Sequence, residues 1–67
     1  MKPITDIDAL DECELVLEGP EYKGAAYWYW KHPDGREFVS LQVDVHGSCW
    51  TESVEQLEDG DKVEDYV

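Results

Sequence analysis

The sequence predicts an α+β fold: a three-stranded antiparallel meander flanked by short acidic helices near both termini, in a single domain spanning 1–67. Three observations carry this expectation. The stretch Ala25 to Val45 reads as two runs of aromatic and β-branched residues around Pro33-Asp34-Gly35. A third run, Cys13 to Glu18, alternates apolar and polar residues and is joined to the first two by a short loop. Segments near both ends carry helix-capping residues and apolar residues at helical spacing.

The hairpin fixes the rest. Pro33 suits the first position of a type I turn, Asp34 tolerates the second, and Gly35 supplies a positive φ. This order predicts a three-residue loop with a bulge. Lys31 then faces Glu37, Trp30 faces Phe38, Tyr29 faces Val39, Trp28 faces Ser40 and Tyr27 faces Leu41. Opposite charges and paired aromatics across antiparallel strands each contribute a few tenths to about 1 kcal/mol. A two-residue Asp34-Gly35 turn is the competing register, and it would set Trp28 and Trp30 beside Leu41 and Val39. The position of Pro33 favours the first. Tyr27, Tyr29, Val39, Leu41 and Val43 then share one face, and Trp28, Trp30 and Phe38 share the other with Ala26, Ser40 and Gln42. A sheet apolar on both sides needs cover on both, or a partner on one.

Thr5 to Glu12 reads as a short helix, with Thr5 as cap, Asp8 in the capping-box position and Ile7 and Leu10 as a narrow apolar stripe. A short strand is the alternative. Cys13, Leu15 and Leu17 then line one side of a half-buried strand, opposite Glu14, Val16 and Glu18. Glycines at both ends and Pro20 mark residues 19–24 as a loop between antiparallel neighbours. His46-Gly47-Ser48 breaks the chain again. Trp50 to Gly60 reads as a second helix, capped by Thr51 and stopped by Gly60, with Val54 and Leu57 toward the sheet. Val63, Tyr66 and Val67 have helical spacing, but the tail can equally be extended.

Sixty-seven residues leave little room for a deep catalytic cleft. Three Trp, four Tyr and one Phe argue for a folded chain. No apolar run approaches the roughly 20 residues of a membrane-spanning helix. The start lacks a charged-then-apolar leader pattern, so a soluble, cytoplasmic protein is expected. Cys13, Cys49, His32 and His46 lack the paired spacing of a structural zinc site, and both cysteines are expected to stay reduced and metal-free. Asp44, His46 and Cys49 include the residue types of a thiol nucleophile system, but one extended segment does not bring them to one point. No enzyme activity and no cofactor are expected.

Charge placement is the most informative feature. Seventeen acids stand against five Lys and Arg, for a net charge of −12. Residues 1–21 and 51–67 each hold seven acids and one lysine, net −6, whereas residues 22–50 are neutral. On the expected second helix Glu52, Glu55 and Asp59 fall at i, i+3 and i+7, with Glu58 and Asp61 beside them. The first carries Asp6, Asp8, Asp11 and Glu12. Like charges this dense oppose folding, which points to a role for the field itself. Carboxylates at roughly 5–6 Å along a helix imitate a phosphate row. The chain would then occupy the Lys/Arg surface of a basic DNA-binding protein, with these nine acids as the partner-binding surface. Two other readings compete: an acidic module of the immunity-protein, antitoxin or adaptor kind, and acidity for solubility or high salt. Direct nucleic-acid binding is disfavoured because phosphates would be repelled.

In size, charge and sheet-plus-short-helices layout the chain resembles the small phage-encoded DNA mimics. These include anti-restriction proteins, uracil-DNA glycosylase inhibitors and several anti-CRISPR proteins. The resemblance spans the whole chain and rests on no shared motif, so it carries no residue over. It implies a monomeric anti-CRISPR protein in the host cytoplasm that blocks a Cas effector subunit or another defence nuclease.

Overall fold

The computed structural model describes residues 2–4 and 7–67. The turn at its centre follows from residue chemistry. The His32 carbonyl accepts from the Gly35 N–H at 2.9 Å, and the Arg36 carbonyl accepts from the His32 N–H at 2.8 Å. Gly35 takes φ 100°, which closes the three-residue loop with its bulge. Strands β3 (Ala25–Lys31) and β4 (Glu37–Val45) pair in the register expected from Pro33, from Lys31 opposite Glu37 to Tyr27 opposite Leu41.

The expected three-stranded sheet with flanking helices is corrected to a five-stranded antiparallel sheet. Its order is β1-β5-β4-β3-β2, with β1 at Lys2–Ile4, β2 at Glu14–Glu18 and β5 at Ser48–Gln56. Among the described residues no helical segment exceeds six residues. The N-terminal 3₁₀ segment covers Ile7–Glu12, and a short 3₁₀ turn covers Val63–Asp65. Thr5 and Asp6, the cap and first acid of the expected first helix, lie outside the described residues.

The expected second helix is strand β5. His46 and Gly47 both take positive φ, 54° and 81°, between the facing residues Val45 and Ser48. That is the two-residue hairpin turn whose twist matches its flanking strands. Two helical turns are marginal in isolation. As a strand, the same residues satisfy the outer backbone groups of β4, which a helix would leave without sheet partners.

Two bulges set what each strand presents. Leu41 faces Ser53 while Gln42 faces Thr51, so Glu52 is an extra residue in β5. Leu15 faces Trp30 while Leu17 faces Tyr29, so Val16 is an extra residue in β2. Leu15 and Leu17 therefore lie on opposite faces, not on the shared face expected from their spacing, and β2 is exposed along its length. The bulge, with Glu14 and Glu18 at the strand ends, discourages further pairing at this edge.

The core sits on the two central strands. Phe38 and Ser40 are fully buried, Val39 and Val54 are 2 % exposed, and Leu57 is 9 % exposed. One face presents Trp28, Trp30, Phe38, Ser40 and Val54; the N-terminal 3₁₀ segment approaches it, since Leu10 and Cys13 line one hollow with both tryptophans. The other face presents Tyr27, Tyr29, Val39 and Leu41, and there Tyr66 packs edge-on against Tyr27 at 5.7 Å between ring centres. Desolvation raises the Tyr66 hydroxyl pKa, and the carboxylates of Asp61, Asp65 and Glu55 add to the rise. The N-terminal 3₁₀ segment and the C-terminal tail thus lie on opposite faces of the sheet.

Candidate functional site

Carboxylates gather beside half-buried Trp28 on the tryptophan face. Ala26 faces Gln42 and Trp28 faces Ser40, which sets Trp28 beside Gln42 on that face. The Thr51 hydroxyl donates to Gln42 Oε1 at 2.9 Å and holds it there. Trp28 and Gln42 divide a shallow groove into two hollows. The first, about 260 Å³, runs under the β2–β3 loop and is lined by Glu18, Glu21 and Asp44 around Ala26, Trp28 and Cys49. The second, about 460 Å³, lies beneath the N-terminal 3₁₀ segment and includes Asp8, Leu10 and Asp11. Neither hollow has a lysine or arginine in its lining.

The two tryptophans differ in role. Trp30 donates its indole N–H to the buried Ser40 hydroxyl at 2.9 Å, so it is tied to the core. Trp28 rests against Trp30 at 6.2 Å and 42°, and is half-buried. Its remaining surface faces the acid-lined groove.

The expected site residues do not form one row. Asp8, Asp11 and Glu12 are exposed on the N-terminal 3₁₀ segment, and Asp6 lies outside the described residues. Glu12 Oε2 sits 3.0 Å from His32 Nε2, which ties that segment to the β3–β4 turn. Glu52, at the bulge, accepts the Trp50 indole N–H at 2.7 Å. Glu55 lies on the tyrosine face opposite Val39 and Pro3, half-buried. Glu58, Asp59 and Asp61 follow β5 in a turn. The Asp61 carboxylate accepts the Glu58 backbone N–H at 2.9 Å, and this bond holds its pKa below the usual range. The i, i+3, i+7 carboxylate row of a helix is therefore withdrawn, because a strand carries these residues. Among the described residues, Asp8 and Asp11 are the expected acids that line the groove. Glu18, Glu21 and Asp44 also line it, outside the nine acids expected from the sequence. Their signal was position: Glu18 and Glu21 flank Gly19-Pro20, and Asp44 precedes the β4–β5 turn.

The other reactive groups are dispersed. The Cys13 thiol lies 3.3 Å from the Ala9 carbonyl, and burial pushes its pKa up. Cys49 is exposed on β5. Among the described residues no three His, Cys, Asp or Glu side chains cluster as a metal set. Among them, too, no helix is long and apolar enough to cross a membrane. No protein-family model, curated protein or solved structure matches the chain.

Proposed function

We propose that this chain is a non-enzymatic acidic binding protein that occupies the Lys/Arg-lined DNA site of a partner and excludes DNA from it, as an anti-CRISPR or anti-restriction inhibitor would. The observation that supports it is the disposition of charge. A net −12 is carried by the two end segments, whose strands β1, β2 and β5 flank a neutral hairpin edge to edge, with Asp8, Asp11, Glu12, Glu52, Glu58 and Asp59 all exposed. The basic site is met by carboxylates spread over strands, turns and a 3₁₀ segment rather than along a helix. Such a field speeds association with a basic surface and weakens steeply with salt. The partner belongs to the DNA-binding proteins of the cell cytoplasm, where the inhibitor works as a monomer.

A second reading has its own observation. Trp28 is half-buried and lines an acid-lined groove, which favours a binding module centred on one aromatic anchor. Retention from lysate on the immobilised protein, at low and at molar salt, separates the two. A DNA-binding protein held only at low salt fits the inhibitor. A partner held in molar salt and lost on Trp28→Leu fits the aromatic module. No retained partner, with a fold stable only in molar salt, contradicts both.

A further inference from the structure

We propose that the hollow beside Trp28 receives an arginine side chain of a protein partner, its guanidinium stacked on the indole and held by the carboxylates around it. The proposal rests on the reading of a basic partner and names the contact by which that partner is gripped.

Four observations lead there. The hollow is about 260 Å³, the scale of one long side chain rather than of a peptide. Gly19, Gly24, Ala25 and Ala26 in its lining keep it open. Trp28 does not share the core hydrogen bond that anchors Trp30, although both rings are half-buried. Glu18, Glu21 and Asp44 line the hollow together with Trp28, and among the described residues no lysine or arginine lines it. An apolar occupant would strip water from these carboxylates without replacing it. An anion would be repelled. A cation meets both demands at once, by attraction to the indole face and by charge-assisted hydrogen bonds at the rim. Arginine is favoured over lysine because its planar guanidinium stacks on an aromatic ring while its edge still donates in pairs to carboxylates. A second copy of this chain is a poor occupant, since it would bring its own net −12.

The test is an NMR titration of the full ¹⁵N-labelled chain with Nα-acetyl-arginine amide, the lysine analogue and the neutral citrulline analogue. The expected result is saturable shifts of the Trp28 indole N–H and of the Gly19, Gly24 and Asp44 amides with arginine, weaker ones with lysine and none with citrulline. Trp28→Leu should lower arginine affinity by about tenfold. Ala26→Leu, which fills the hollow at constant charge, should do the same. Equal responses to lysine and arginine would overturn the proposal, as would shifts spread evenly over distant acids such as Glu58 and Glu64. The two levels of the account fail separately. Competition with DNA that both variants leave intact removes the arginine contact and keeps the inhibitor. Arginine binding at Trp28 without competition for DNA removes the inhibitor and keeps the contact.

Discussion

Trp30 and Ser40 face each other diagonally across the central hairpin, and the indole N–H donates to the hydroxyl at 2.9 Å. Ser40 is fully buried in the middle of the sheet, so this bond fixes the tryptophan against Phe38 and Val54 with its polar atom satisfied. Ser40→Ala removes the acceptor and leaves the indole donor partly buried without it. The expected loss is about 1–2 kcal/mol in urea unfolding. Pairing it with Trp30→Phe should recover part of that loss, because the orphaned donor is gone. Equal and additive losses would show that the bond contributes nothing.

Salt should act on folding and on binding with opposite signs. The chain folds against its own net −12, so screening should raise the midpoint of thermal unfolding between low salt and about 0.5 M, where the Debye length falls well below 8 Å. The same change should weaken partner affinity. Calorimetry and a binding isotherm over one salt series check both slopes.

Acid should loosen the central turn. The Arg36 backbone N–H, at 2.9 Å from Asp34 Oδ1, is the first cause holding the Asp34 carboxyl below its ordinary range; the Arg36 guanidinium, at 2.7 Å from Oδ2, reinforces it. A depressed folded pKa contributes stability that is fully present above the unfolded value of about 3.9 and is lost as pH falls through the folded value. Asp34→Asn should therefore lower stability at pH 6 and change little at pH 2, as read by chemical denaturation at each pH.

The two thiols should differ in reactivity. Cys49 is exposed, whereas Cys13 is half-buried with its pKa raised by burial. A maleimide should label Cys49 first, and unfolding in urea should bring the rates together. Bound partner should slow labelling at Cys49, which lines the Trp28 hollow.

The hairpin was legible because its determinants are local. Pro33, Asp34 and Gly35 dictate one turn, and that turn dictates which residues face each other. Strand β5 was hidden by its bulge. Val54 and Leu57 are three apart, a helical interval, and Glu52, the extra residue between Thr51 and Ser53, breaks the alternation that marks a strand. Thr51 and Gly60 then looked like the two ends of a helix. Strand β1 is three residues long and contains Pro3, so no periodicity could reveal it. Its pairing depends on β5, which is distant in sequence. The abundance of acids was plain from composition. Their gathering around Trp28 was not, because Asp8, Glu18 and Asp44 reach one groove only through the order of the strands.

The expected site can be divided by charge reversal. Glu52→Lys, Glu58→Lys and Asp59→Lys together should cut partner affinity far more than any one alone, since exposed ion pairs are each worth about 0.2–1 kcal/mol. Circular dichroism should show the variant retaining its strand signal. Undiminished affinity in a folded triple variant would remove these residues from the interface.

The central claim is exclusion of DNA, and competition measures it most directly. Labelled DNA bound to the retained partner is titrated with this protein at physiological salt. The account predicts full displacement with one-to-one stoichiometry, and a DNA-saturated partner that no longer takes up the protein. A ternary complex, with protein and DNA on the partner together and neither affinity changed, would contradict it.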